Sequence, residues 1–302
     1  MNKKIMHINY SEGTYNYFGK VYGDSYIDGV CKMAAQIGYD GIEFRGDCPK
    51  ELEGTSFKDY VGQIAVAMKK YSLSETLFCI SMPEAANPDK EARDASLKNA
   101  VEKLEIVNDL CGTTLCNSTS MGIVSPIKTA SISAYEYHGS IAATPEEWKW
   151  SAELYSRLGE VAQKLGVKIA LETHMHYIHD IPEATVKFVN MVDSPAVGIN
   201  MDYGNTVYFP KQPSVVDVID MYGDKLFYTH LKNSVAIPGA IGRQPTSLDG
   251  GVINHRTYLI KLKEVGFDGP IGIEAPRPGD RVLFAKQDFE YFDSLYKQIY
   301  NV

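Results

Sequence analysis

The chain has 302 residues, of which 44% are hydrophobic and 23% are charged, so it is long enough to bury a substantial core. Its formal net charge of −8 argues against nucleic acid or an anionic membrane surface as its main partner, because both carry negative charge themselves. The N-terminus lacks a sustained apolar segment, and no run approaches the ~18 apolar residues of a membrane span. We therefore expect a cytoplasmic protein that does not associate with a membrane.

Strand-like and helix-like patterns alternate along the chain. In the first half the predicted elements follow one another in this order: strand 5–9, helix 25–37, strand 41–45, helix 57–71, strand 76–80, helix 88–110 and strand 114–117. The segment 118–144 then interrupts the rhythm, because it is rich in Ser, Thr, Gly and Tyr. A loop of this length inside a compact domain is typical of a functional segment, and we expect it to cover the strand ends.

The second half continues the alternation. Thr144 is an N-cap residue followed by Pro145, which together predict a helix that runs to residue 165. Four short apolar strands are predicted at 168–172, 197–202, 226–230 and 270–274. The remaining helices are predicted at 182–191, 214–221, 255–265 and 283–300.

Eight strand–helix units without a linker predict an α/β protein of one domain, a (β/α)8 TIM barrel over residues 1–302. Loops on its active-site side are expected at about 118–144 and 233–252. A doubly wound sheet is the alternative fold. Neither GxGxxG nor GxxxxGK[ST] occurs in the sequence, so we expect no nucleotide cofactor.

Each of the four strands in the second half ends on a residue that can bind a metal: Glu172, Asp202, His230 and Glu274. In a parallel α/β barrel the C-terminal strand ends meet at the face where active sites are built. Three converging carboxylates would repel one another without a cation. The set suits Mn²⁺, Mg²⁺, Co²⁺ or Zn²⁺ and leaves coordination positions for two substrate oxygens, so it predicts one divalent metal ion.

Several segments also carry a family resemblance: GYDGIE at 38–43, ALETH at 170–174, HDIPEA at 179–184, DSPAVGINMDYGN at 193–205, THLK at 229–232 and GIE at 272–274. The chain resembles the sugar phosphate isomerase/epimerase superfamily, the xylose-isomerase-like TIM barrels that include ketose 3-epimerases. The resemblance implies that Glu172, Asp202, His230 and Glu274 bind one Mn²⁺-like ion. It also implies that Glu172 and Glu274 act as catalytic bases.

Two features depart from typical ketose 3-epimerases. Those enzymes carry His three residues beyond the metal ligand of the sixth strand, where this chain has Asn205, and they carry a second Glu where residues 174–180 hold three histidines. Both differences argue against a plain ketose 3-epimerase. The missing His at position 205 and the acidic net charge also argue against the AP endonucleases of the same superfamily, which need three zinc ions.

Other residues are expected to serve the reaction around the metal. A carboxylate bound to a metal is a weak base near neutral pH, so a histidine that is not a ligand, His138 on the loop 118–144, is the preferred general base. The expected substrate contacts are His174, Asn205, Lys232 (as an oxyanion contact), Arg243 (by resemblance) and Tyr137 (by stacking its ring on a sugar or an aglycone).

Removal of a proton next to a sugar ketone has several outcomes. The preferred interpretation is β-elimination that releases the aglycone of a 3-oxo-C-glycoside, since the chain resembles the large subunit of bacterial C-glycoside deglycosidases. The alternatives are a ketose 3-epimerase or sugar isomerase and, in a different class, a non-catalytic sugar-binding barrel. In each case the partner is a small sugar or glycoside. The lyase resemblance also implies a small β-rich partner subunit, and we expect the chain to form an oligomer.

Overall fold

The computed structural model describes residues 1–11, 21–49, 52–237 and 242–302. Eight parallel strands form a closed barrel in chain order, and the last strand closes the ring by pairing with the seventh and the first. The strands are β1 (Lys4–His7), β2 (Gly41–Arg45), β3 (Glu75–Cys79), β4 (Leu115–Ser118), β5 (Lys168–Glu172), β6 (Val197–Asp202), β7 (Leu226–Leu231), β8 (Asn233–Ala236), β9 (Arg243–Thr246) and β10 (Ile271–Ile273). Of these, β8 and β9 form a separate antiparallel pair outside the barrel.

Helices follow the barrel strands and pack around the ring. They are α1 (Tyr26–Ile37), α2 (Phe57–Lys70), α3 (Lys90–Cys111), α4 (Pro145–Leu165), α5 (Pro182–Val192), α6 (Tyr203–Thr206), α7 (Val215–Tyr222), α8 (His255–Glu264) and α9 (Arg281–Tyr300). The closed barrel with surrounding helices confirms the TIM-barrel prediction. Of the helices in the described ranges, none is both long and apolar enough to cross a membrane.

Local sequence fixes several helix ends where they were predicted. Thr144 caps α4 with a capping box, because its hydroxyl accepts the Glu147 N–H while the Glu147 carboxylate accepts the Thr144 N–H. Gly38, which follows α1, has a φ of 115° and allows the chain to leave the helix toward β2. Such signals explain why most helix ends were predicted within one or two residues.

Two stacked layers fill the barrel interior. The lower layer is an apolar cluster made of Ile5, Leu77, Leu115, Ala170 and Tyr228. Side chains two residues further along a strand point to the same face. In the same strands those positions hold His7, Cys79, Asn117, Glu172 and His230. The barrel is therefore apolar below and polar toward the C-terminal strand ends, where the predicted metal ligands lie.

The two predicted loops differ in structure. Residues 118–144 form a loop with two short 3-10 turns, Tyr135–Tyr137 and Gly139–Ile141. The segment 233–252 was predicted as a loop but contains the β8–β9 hairpin, in which Asn233 pairs with Thr246 and Ala236 with Arg243. Residues 238–241 of that segment lie outside the described ranges. The hairpin escaped prediction because its strands contain Ser, Asn, Arg and Pro and lack apolar alternation.

A buried histidine in α8 makes the stability of the fold depend on pH. His255 is 1% exposed, and its Nδ1 donates to the Leu248 carbonyl at 2.9 Å, while Nε2 finds no partner among the described residues. Burial lowers the pKa of His255 to about 4, against about 6.5 in an unfolded chain. As the pH falls from about 6.5 to 4, His255 is therefore protonated in the unfolded state but stays neutral in the folded state.

We predict that acidification from pH 7 to pH 5 lowers the free energy of unfolding, with His255 contributing about 1–2 kcal/mol. His255→Gln can keep the bond to Leu248 but cannot titrate, so the loss between the two pH values should be smaller in the variant. Urea unfolding at both pH values measures it. An equal loss in the wild-type protein and the variant would contradict this role of His255.

Candidate metal centre

The structure brings the four predicted metal ligands together. One potential ligand atom from each of Glu172, Asp202, His230 and Glu274 lies within 4.8 Å of all the others. The strand register explains the convergence, because Asp202 of β6 pairs with His230 of β7. Glu274 follows β10, and its N–H donates to the Leu231 carbonyl of β7 at 2.9 Å. The site therefore lies at the C-terminal ends of β5, β6, β7 and β10.

The imidazole of His230 occupies the centre of the cluster. Its Nδ1 lies 3.1 Å from Glu274 Oε2, 3.6 Å from Asp202 Oδ2 and 3.9 Å from Glu172 Oε2. Its other nitrogen, Nε2, lies 2.7 Å from Glu43 Oε2. Nδ1 is thus the nitrogen that faces the other potential ligands, and Nε2 is turned toward a carboxylate behind them.

Glu43 is a functional residue that the sequence analysis did not identify. It is fully buried in the middle of β2 and accepts hydrogen bonds from the Tyr228 hydroxyl and from Asn117 Nδ2, each at 2.9 Å. Burial alone would raise the pKa of Glu43, but His230 and His7 lower it to about 2. An ionised Glu43 accepts the Nε2–H of His230 and so leaves Nδ1 free to bind a metal. Its signal was the GYDGIE segment, which was noted only as a family match.

Side-chain amides orient the carboxylates of the cluster. Asn117 Nδ2 donates to Glu172 Oε2 at 2.7 Å, and Asn205 Nδ2 donates to Glu172 Oε1 at 3.3 Å. Asn9 Nδ2 donates to Glu274 Oε1 at 3.2 Å. Asn205, which was predicted to contact substrate, thus hydrogen-bonds one of the predicted metal ligands. Asn9 and Asn117 were not singled out, because an isolated Asn at a strand end carries no recognisable signal.

Lys232 lies against the cluster as well. Its ammonium is 2.6 Å from Asp202 Oδ2 and 2.9 Å from Glu274 Oε2. Burial works against its charge, but Asp202 and Glu274 raise the pKa of Lys232 above its usual value. Burial would likewise raise the pKa of Glu274, whereas Lys232 and His7 lower it well below the usual value. Lys232, the predicted oxyanion contact, is therefore an ion-pair partner of two predicted metal ligands in this structure.

The donor set fits a divalent metal ion. Three carboxylates and one imidazole nitrogen are suitable ligands for Mn²⁺, Mg²⁺, Co²⁺ or Zn²⁺. Asp202 Oδ2 and Glu274 Oε2 are buried, and their close partners are the Lys232 ammonium and the His230 imidazole. Three carboxylates gathered around one imidazole carry more negative charge than one lysine offsets, and a divalent ion would offset the rest.

A cavity of about 520 Å³ opens beside the cluster, and Glu172, Glu274 and His174 are among the residues that line it. His174 Nδ1 lies 2.9 Å from the Met175 carbonyl, which can only accept, so Nδ1 carries the proton of the neutral ring. Nε2 of His174 then keeps its lone pair. The structure places this predicted substrate contact within the cavity.

His138, Tyr137 and Arg243 are among the predicted site residues that do not line this cavity. His138 is 1% exposed, and both ring nitrogens are engaged by its own loop: Nδ1 accepts the Ser125 N–H at 3.0 Å, and Nε2 donates to the Ser131 carbonyl at 2.9 Å. These two bonds argue against the prediction that His138 is the general base, because both nitrogens are already engaged. Tyr137 is 48% exposed, and Arg243 Nε donates to the Val207 carbonyl at 2.8 Å.

Comparison with known proteins identifies the family. Residues 31–295 match the family model described as xylose isomerase-like TIM barrel. The chain belongs to this family. A Xylose isomerase-like TIM barrel protein from Mycobacterium smegmatis, solved in complex with magnesium, has 20% identity and a TM-score of 0.73 over 99% of this chain and 98% of that chain. This likeness shows the shared fold.

Curated relatives match over a shorter stretch. The inosose dehydratase of Geobacillus kaustophilus is 25% identical over 168 residues, which cover 50% of this chain and 54% of the relative. The inosose isomerase of Bacillus subtilis is 29% identical over 149 residues, which cover 46% of this chain and 51% of the relative. The chain thus spans about half the length of the curated relatives it matches.

We predict that Glu43→Gln weakens Mn²⁺ binding by roughly 10–100-fold, because a neutral amide holds the His230 Nε2–H less firmly than a carboxylate does. Titration calorimetry on chelator-treated protein measures the affinity. Glu75→Gln is the matched control, since Glu75 lies at the other end of the barrel, where it pairs with Lys3 at 3.8 Å. Equal affinities for the Glu43 variant and the control would show that Glu43 does not position the ligand.

Proposed function

We propose that this protein is a divalent-metal-dependent enzyme that isomerises or dehydrates a cyclic or open-chain polyhydroxy ketone. The observation that carries the proposal is the convergence of Glu172, Asp202, His230 and Glu274 beside a cavity lined by His174. Relatives named inosose isomerase and inosose dehydratase support it, because an inosose is a polyhydroxy ketone. Both reactions can begin with removal of a proton from the carbon next to the ketone.

The chain's own residues divide the chemistry. A bound divalent ion would be held by the four ligands, and the chemistry it supplies is Lewis-acid stabilisation of the charge that develops on the ketone oxygen. The lone pair of His174 Nε2 accepts the proton from the neighbouring carbon, and the Nδ1–H bond to Met175 keeps the ring in that tautomer. Glu172 and Glu274, which line the same cavity, are the other candidate bases.

The fate of the proton then decides the reaction. If His174 returns the proton to the former ketone carbon, and the proton of the neighbouring hydroxyl passes to the former ketone oxygen, the ketone moves one carbon along the chain, which is isomerisation. Epimerisation needs a second group, for which Glu172 and Glu274 are the candidates, to deliver a proton to the opposite face of the same carbon. If a hydroxyl leaves from the next carbon and takes up the proton as water, the reaction is dehydration. Names of the relatives favour these outcomes over release of an aglycone from a 3-oxo-C-glycoside.

Cleavage of a C-glycoside has weaker support than it had from the sequence. The histidine that supported it, His138, lies outside the cavity beside the metal cluster. The small β-rich partner subunit and the oligomeric state stay predictions. A 3-oxo-C-glucoside is therefore a compound to be tested beside the ketones and is not the preferred substrate.

We predict that Mn²⁺-loaded protein in D₂O exchanges the proton next to the ketone of an inosose or a free ketose. Proton NMR follows loss of that signal together with the appearance of an isomer, an epimer or a dehydrated product. Chelator-treated protein is the control and should be inactive. Binding of these ketones without any exchange would favour a sugar-binding barrel, and release of a phenolic aglycone from a 3-oxo-C-glucoside would restore the C-glycosidase interpretation.

We further predict that His174→Asn lowers the exchange rate by about 10²–10⁴-fold, the range that general base catalysis contributes, while Mn²⁺ affinity stays within about twofold. His176→Asn is the matched control, because His176 has a φ of 71° that Asn tolerates and its Nε2 bonds to the Ile132 carbonyl of the loop. An unchanged rate in His174→Asn would assign the base to Glu172 or Glu274.

A further inference from the structure

The ammonium of Lys232 lies between two carboxylates of the metal cluster, Asp202 and Glu274. It is 2.6 Å from Asp202 Oδ2 and 2.9 Å from Glu274 Oε2, and the Lys232 side chain is only 16% exposed. Both carboxylate oxygens are buried. Lys232 thus offsets their negative charge through two close ion pairs.

The chain is built to admit this lysine. Lys232 lies two residues beyond His230, and its stem passes over Gly204 at the start of α6. A Cβ at position 204 would collide with Cγ of Lys232 and crowd its Cδ. Asn205 Oδ1 accepts from the ammonium at 3.4 Å. Glycine at 204 therefore keeps open the path along which Lys232 reaches the carboxylates.

A divalent ion and this ammonium cannot share the two oxygens. Carboxylate oxygens bind such ions at about 2.0–2.2 Å, so an ammonium that also stayed within 3 Å of both oxygens would lie within a few ångströms of the ion. Two positive charges at that distance repel by several kcal/mol even at an effective dielectric constant of about 20. Occupancy by one cation therefore disfavours the other.

We propose that Lys232 is a resident counter-cation, which neutralises Asp202 and Glu274 in the metal-free protein and which a divalent ion must displace. The proposal rests on the metal centre of the proposed function, but it does not depend on which ketone is the substrate. Lys232 then has two consequences of opposite sign. It stabilises the metal-free protein, and it lowers the affinity of the four ligands for the metal.

The test compares Lys232→Met, which keeps the length of the side chain and removes its charge, with the wild-type protein. In titration calorimetry of chelator-treated protein, the variant should bind Mn²⁺ at least about tenfold more tightly. Its melting temperature without metal should be lower, and the increase on adding Mn²⁺ should be larger. Lys211→Met, which removes an exposed charge from the loop after α6, is the control and should match the wild-type protein.

If Lys232→Met does not fold without metal, a second variant can test the same proposal. Gly204→Ala retains the charge but blocks the path of the lysine stem, so it should also tighten Mn²⁺ binding. Unchanged or weaker binding in both variants, or no Mn²⁺ binding in any protein, would overturn the proposal. Because no substrate is present, the result is distinct from a failure of the proposed reaction, in which Mn²⁺ binds but no ketone exchanges its proton.

Discussion

Mutual repulsion of buried carboxylates is the constraint on which the centre of this barrel depends. Glu43, Glu172, Asp202 and Glu274 all lie within 4 Å of the single imidazole of His230. In a low-dielectric interior such a group persists only where cations and hydrogen-bond donors offset the repulsion. His230 supplies the charge in the middle, and the asparagine amides and the Tyr228 hydroxyl hold individual oxygens. The polar upper layer is therefore a network in which each member depends on its neighbours.

The apolar lower layer makes that network possible. Ile5, Leu77, Leu115 and Ala170 are buried and fill the barrel directly below the polar groups. Tyr228 belongs to both layers, since its ring packs in the apolar cluster while its hydroxyl donates to Glu43. A tyrosine suits this position because its ring is apolar and its hydroxyl can donate to a carboxylate. The carboxylates consequently lie between this apolar layer and the cavity above.

The predicted metal ligands at the strand ends could be recognised from the sequence, but the side chains that orient those ligands could not. Glu172, Asp202 and His230 each close an apolar run, and period-2 alternation places them on the inner face without any knowledge of the neighbours. Glu43 lies in the middle of β2, and nothing in the local sequence distinguishes a metal ligand from a carboxylate that orients a ligand. That distinction depends on barrel closure, which sets the distance of 2.7 Å between Glu43 and His230 across non-adjacent strands.

The sequence also does not show which histidine after β5 can act on a substrate, because three histidines lie within residues 174–179. His179 donates from Nδ1 to the Glu172 carbonyl at 2.6 Å and accepts the Ser120 N–H at Nε2, so it ties the strand to the loop 118–144. Burial lowers the pKa of His179 to about 4, which keeps both bonds intact at neutral pH. His176 uses one ring nitrogen, Nε2, to hydrogen-bond the Ile132 carbonyl. His174 alone of the three lines the cavity, so hydrogen-bond partners rather than residue type decide which histidine can exchange a proton with a substrate.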